Sequence, residues 1–267
     1  EHSFRTLGCY RSLLPKEFAF VWGDGVTVET PHIDSLARRG ALCDRFYTAS
    51  PVCTPSRASF VTGRYPQNTG APNNDLPMSD EMVTFAEALR RHGYVTGYAG
   101  KWHLDGKAKP GWSPAHKFGF EDNRFMFNRG HWKLLEDASD GPRVKGRNKK
   151  GEESYDVTGA DEKSFTTDFL ADRTVAFLRA HKDGPFCFML SIPDPHGPNT
   201  ARPPYDTQFA SLAFKRPASA GDNGKMENMA RYFGMVKCID DNVGKILEGL
   251  RDTGLLERTI IVFTADH

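Results

Sequence analysis

Apolar residues fall along this chain in two rhythms. Short unbroken runs at Tyr94–Ala99, Phe186–Ile192 and Thr259–Thr264 have the length and composition of strands buried on both faces. Phe18–Trp22 is a weaker candidate of the same kind. Helical spacing covers Met82–His92, Thr166–His181 and a long stretch from about Met226 to Arg251. In that stretch Tyr232, Met235, Val236, Ile239, Val243, Ile246, Leu247 and Leu250 recur three and four apart. Gly254 then supplies a stop signal before the Thr259 run. Helices alternating with buried strands predict an α/β fold, a mainly parallel sheet sandwiched by helices.

Two segments read as loops. Asp140–Lys163 is charged and poor in apolar residues, and Pro193–Gly224 is rich in proline, alanine, glycine and asparagine. Loops of this length in a compact domain are functional or disordered. In an open α/β sheet, ligands bind beyond the carboxyl ends of the strands. Lys101 and His103 follow the Tyr94 run, His196 follows the Phe186 run, and Asp266 and His267 follow the Thr259 run. That order predicts one polar site assembled from three strand ends.

Composition narrows the function classes. Lysine plus arginine (35) nearly cancel aspartate plus glutamate (34), which argues against an electrostatic nucleic-acid binder. No run approaches the roughly 18 apolar residues of a membrane span. The five cysteines, at 9, 43, 53, 187 and 238, include no CxxC pair, so neither a zinc site nor a dense disulfide framework is expected. Cys187, in an apolar run, and Cys238, on a helical pattern, are expected as buried free thiols. The chain begins at Glu1 rather than methionine. Residues 1–267 are therefore expected to be one truncated catalytic domain of a longer protein, and the compartment is not readable from the ends.

The densest chemistry lies at Cys53-Thr54-Pro55-Ser56-Arg57, followed by Ala58-Ser59-Phe60, Gly63-Arg64 and Tyr65-Pro66. Proline is tolerated in the first turn of a helix, where its missing N–H costs nothing. Cys53 would then lie at a helix N-terminus, where anionic groups are favoured, with Arg57 one turn on to hold an oxyanion. Three readings compete. The cysteine could be structural. It could be a phosphatase nucleophile, although such a loop needs more residues between cysteine and arginine, and proline removes an N–H donor. The third reading comes from a resemblance. CxPSR with its GxYP-type continuation resembles the first signature of the sulfatase family. Gly93-Tyr94-Val95-Thr96-Gly97-Tyr98-Ala99-Gly100-Lys101-Trp102-His103-Leu104 resembles the second.

The resemblance extends over nearly the whole chain. Thr30-Pro31-His32-Ile33-Asp34-Ser35-Leu36-Ala37 is similar to the family's TPNIDxLA helix. Ser191-Ile192-Pro193-Asp194-Pro195-His196-Gly197-Pro198 is similar to its PHxP substrate loop, and Phe263-Thr264-Ala265-Asp266-His267 to the segment supplying late metal ligands. Membership implies an alkaline-phosphatase-like fold, a divalent cation (usually Ca2+), and oxidation of Cys53 to formylglycine by a maturase. The hydrated aldehyde offers one hydroxyl to attack sulfur and a second whose deprotonation expels sulfate, which a plain serine or cysteine could not do.

The same resemblance implies that Arg57 orients the diol, Lys101 binds a sulfate oxygen, and His103 helps deprotonate the diol. It implies that His196 contacts the sulfate or protonates the leaving oxygen. Asp266, His267, the oxidised Cys53 and Glu1 are its implied metal ligands. Glu1 falls on the second of two acids that the family carries before an LGCYG-like segment, here Leu7-Gly8-Cys9-Tyr10. The chain departs from the pattern at Arg11, in a longer stretch between Tyr10 and Thr30, and in lacking the family's late lysine and smaller C-terminal domain. Expected substrates are sulfate esters, through the PDPHGPN-type loop those of sulfated carbohydrates, in a periplasmic, secreted or lysosomal setting. Two alternatives remain: a phosphate or phosphonate ester hydrolase of the same superfamily, and a non-catalytic relative with unmodified Cys53.

Overall fold

The computed structural model describes residues 2–218, 220 and 226–267. In chain order its elements are α1 (Gly8–Arg11), α2 (Lys16–Ala19), α3 (Pro31–Arg39), α4 (Cys53–Thr62), α5 (Phe85–Arg91), β1 (Val95–Lys101), β2 (Asp122–Phe127), β3 (Leu135–Ala138), β4 (Gly141–Val144), α6 (Thr166–Ala180), β5 (Phe186–Ser191) and α7 (Met229–Asp252). Strands β2, β1 and β5 form a parallel sheet in that order. Lys101 pairs with Phe127, and Gly100 with Ser191, so three strands end along one edge.

Side chains alternate across β1 as a sheet covered on both faces requires. Tyr98 joins Trp102, Phe118, Phe120 and Ala86 of α5 in one cluster, while Ala99 joins Phe127, Phe169 and Leu170 of α6 in another. Helix α7 lies outside α6. Its Phe233 and Val236 pack on Trp22 and Val28. Its Leu247 and Leu250 pack on Leu178 of α6. Among the described residues no helix is long and apolar enough to cross a membrane.

The expected helices form with trimmed ends. Thr84 accepts the Glu87 N–H and starts α5 three residues after Met82's turn. The strand expected at Phe18–Trp22 is instead the end of α2 (Phe18, Ala19) followed by a turn over Phe20–Trp22. Phe18 and Ala19 N–H both donate to Pro15 O, and buried Ala19 and Trp22, three apart, face inward, with Trp22 edge-on to Phe233. Aromatic composition suggested a strand, but the spacing of the buried positions is that of a helix.

Thr259–Thr264 runs extended without a ladder partner among the described residues. Ile260 is 93% and Val262 73% exposed, while Phe263 packs with Leu7, Ile33 and Ile192. Part of the expected Asp140–Lys163 loop is ordered, because β4 pairs antiparallel with β3 across the two-residue turn Ser139-Asp140. The Pro193–Gly224 loop holds no helix or strand among its described residues. All five cysteines are free; Cys238 is buried as expected, and Cys187 is only half-buried.

Candidate active site

Cys53 is the first residue of α4, after Val52 as N-cap. The Thr54 N–H donates to Asn74 Oδ1 (3.0 Å), and the Thr54 hydroxyl to the carbonyl of His103 (3.0 Å). The start of α4 is thereby tied to the end of the second motif. Gly63, left-handed at φ 66°, ends the helix and donates to Ser59 O.

Arg57 is the hub. Its Nη1 donates to Lys101 O (2.8 Å) and to Ser191 Oγ (2.7 Å), and its Nη2 to Asp266 Oδ2 (2.7 Å). One buried guanidinium therefore joins α4, the ends of β1 and β5, and the extended 259–267 segment. A planar fork with several fixed donors suits that task. Burial alone would push the Asp266 carboxyl up, but the Arg57 guanidinium overrides it and holds Asp266 well below the usual carboxylate range. Ser56 Oγ donates to the Asp266 carbonyl.

His267 Nε2 lies 3.5 Å from Cys53 Sγ. The donor atoms of Cys53, Asp266 and His267 all fall within 4.8 Å of one another. Glu1, the fourth expected ligand, lies outside the described residues. His32, Asp240 and Asp241 form a second such group. There the Lys237 ammonium already lies against both carboxylates, and Asp240 Oδ1 caps α3 through the N–H groups of His32 and Ile33. That group is a helix cap with its own internal cation.

Lys101, the last residue of β1, and His103 just beyond it are both buried. His103 Nε2 lies 2.9 Å from Asp75 Oδ1, which also receives Arg129 Nε at 3.0 Å. An ionised carboxylate only accepts, so Nε2 carries the proton and Nδ1 the lone pair. Among the described residues, Nδ1 is buried with no protein partner. Burial and the nearby Lys101 ammonium lower His103 to about 4, against the pull of Asp75.

His196 stands beyond β5, its Nδ1 2.8 Å from Gly197 O. The structure thus brings Cys53, Arg57, Asp266 and His267 into one cluster, with Lys101 and His103 tied to it through Arg57 and Thr54. Ser191, Asp75, Arg129, His131 and Lys133 were not anticipated. His131 and Lys133 follow β2, whose charged Asp122 and Arg124 hid it among polar segments. Had β2 been recognised, the strand-end rule that found Lys101 and His196 would have pointed to them.

The Sulfatase family profile matches residues 22–267. The chain belongs to the sulfatase family. It is 31% identical to the ulvan-active sulfatase of Formosa agariphila over 90% of this chain and 46% of that protein. It is 30% identical to human N-acetylgalactosamine-6-sulfatase over 92% of this chain and 47% of that one. The chain spans about half the length of these curated relatives. A Bacteroides thetaiotaomicron structure, described under the metabolism of multiple glycosaminoglycans, superposes with TM-score 0.72 at 20% identity over 94% of this chain and 56% of that one. The phosphonate monoester hydrolase of Silicibacter pomeroyi superposes with TM-score 0.64 at 22% identity over 90% and 58%. The sulfatase chain thus has the alkaline-phosphatase-like α/β fold of these neighbours, with helices on both faces of a parallel sheet.

Proposed function

We propose that this chain is catalytic-domain sequence of a sulfuric ester hydrolase that uses formylglycine made from Cys53 and a divalent cation. The observation that carries the reading is the meeting of Cys53 with Arg57, Asp266 and His267 at the N-terminus of α4. Thiol, imidazole and carboxylate together suit a softer metal, whereas calcium takes oxygens. Residue 53 contributes an oxygen only once its sulfur is gone. Asp266, His267 and oxidised residue 53 would hold the cation, joined by Glu1. When bound, the cation supplies Lewis-acid polarisation.

The remaining roles fall to the chain's own groups. Arg57 aligns residue 53 with the strand ends. Lys101 places an ammonium for a sulfate oxygen. His103, neutral and with its lone pair on Nδ1, takes a proton from residue 53. His196 carries a proton on Nδ1 toward Gly197 O, so exchange with a leaving oxygen falls to Nε2. The substrate class proposed is a sulfated carbohydrate, supported by the names of the ulvan-active and N-acetylgalactosamine-6-sulfatase relatives. The partner implied is a formylglycine-generating maturase.

The test is the full-length protein co-expressed with such a maturase. Peptide mass spectrometry reads residue 53, and initial rates compare 4-nitrophenyl sulfate with 4-nitrophenyl phosphate. Oxidised residue 53 with faster sulfate hydrolysis supports the reading. Faster phosphate hydrolysis transfers the site to phosphoryl chemistry, and a thiol that persists without activity overturns it.

A further inference from the structure

His131, Trp132 and Lys133 follow β2, with a bend at Lys133. Trp132 goes into the core beside Phe127 and Leu135, and its Nε1 donates to Arg129 O (2.9 Å). Gly130, at φ 111°, admits this arrangement, because a Cβ there would lie 2.4 Å from the Trp132 ring. His131 and Lys133 both reach the loop after β5 rather than the core that Trp132 enters. The fully buried Lys133 ammonium donates to Asp194 Oδ1 and, at 3.4 Å, to His196 O. The His131 ring stacks on His196 with centroids 3.4 Å apart and planes 8° apart. Its Nε2 lies 2.8 Å from Lys101 Nζ.

Donor chemistry fixes the state of His131. An ammonium has three donors and no acceptor, so His131 Nε2 must accept and its proton sits on Nδ1. The ring is therefore neutral. A neutral ring face to face with His196 adds no positive charge beside it. One short segment thus touches, from a third strand, both Lys101 and His196, which β1 and β5 deliver separately.

We infer that His131 is a positioning residue for the hydrolysis: it aims the Lys101 ammonium through Nε2 and sets the plane of His196 by stacking, while Lys133 fixes the loop that carries His196. The inference rests on the sulfatase reading. Packing alone would require only the ring, whereas positioning requires both the ring and the acceptor.

The experiment uses the full-length, maturase-treated protein with three variants. H131F keeps a ring without an acceptor, H131Q keeps an acceptor without the ring, and H131A removes both. The readouts are kcat and KM on 4-nitrophenyl sulfate, the affinity for inorganic sulfate by calorimetry, and the melting temperature. A misplacement of about 1 Å costs about 100-fold in rate, so H131F and H131A should each lose about that in kcat/KM, mostly in kcat. H131Q should recover about tenfold over H131F, and sulfate affinity should fall about tenfold in H131F.

Kinetics and sulfate affinity of H131F within twofold of an active wild type overturn the inference alone. A wild type that binds sulfate but cleaves no sulfate ester overturns the sulfatase reading, and the sulfate affinities still decide the role of His131. A wild type that does neither overturns both. If H131A does not fold, H131F and H131Q carry the comparison.

Discussion

His103 and Asp75 are held 2.9 Å apart, with the carboxylate on Nε2 and the buried Nδ1 without a protein partner among the described residues. The carboxylate selects which nitrogen is basic. Asp75→Asn places an amide that can donate as well as accept, so the tautomer is no longer fixed. With His103 as proton acceptor, kcat should fall about 100-fold, toward the low end of general-base contributions, with KM nearly unchanged. An unchanged kcat would remove His103 from that role. The same pair predicts a pH dependence of stability. Burial lowers His103 from 6.5 to about 4, so the unfolded chain binds a proton at a higher pH than the folded one. The contribution is complete above pH 6.5 and is lost as pH falls toward 4. It amounts to at most about 3 kcal/mol at 1.36 kcal/mol per unit. Denaturant unfolding from pH 7 to pH 4 should show a steeper loss in wild type than in His103→Gln; equal slopes would show that His103 protonates as readily folded as unfolded.

Strands β1 and β5 meet so closely at their carboxyl ends that only glycine fits at position 100. Gly100 has φ 103°, and a Cβ there would lie 2.0 Å from Ser191 O. This is where Arg57 bridges Lys101 O and Ser191 Oγ. Gly100→Ala should cost about 3 kcal/mol through strain and overpacking, and should lower activity beyond the loss of folded protein. Chemical denaturation and the specific activity of the soluble fraction measure the two effects; a stable, fully active variant would show that the strand ends separate freely. Strands β1 and β5 were legible in the sequence because a strand covered on both faces reads as an apolar run. Helices α6 and α7 were legible because their inner faces repeat at helical spacing. β2 was not, since Asp122 and Arg124 project to solvent from the edge of the sheet. Phe18–Trp22 misled because the contact that turns Trp22 inward is with Phe233, a residue over 200 positions away.

The site as a whole draws on segments from one end of the chain to the other. The motif residues Cys53, Arg57, Lys101, His103 and His196 were legible because signature spacing names them. His131 was not, since its significance lies in contacts with Lys101 and His196 across the sheet edge rather than in its local sequence. At this scale the proposed cation and the fold would be coupled. Asp266 stays ionised at neutral pH because Arg57 lies 2.7 Å away, so a cation meets a carboxylate that needs no deprotonation. A ligand that binds only the folded state stabilises it by about 2.7 kcal/mol at one hundred times its Kd. Calcium should therefore raise the melting temperature of the full-length, maturase-treated protein, and a chelator should reverse the gain. Asp266→Asn lowers the baseline by leaving Arg57 buried without its charge partner, so the comparison is the calcium increment within each protein. That increment should vanish in Asp266→Asn and shrink in Cys53→Ala, which loses one oxygen ligand but keeps Asp266 and His267. An equal increment in Asp266→Asn would place the cation elsewhere and separate the Cys53 cluster from metal binding.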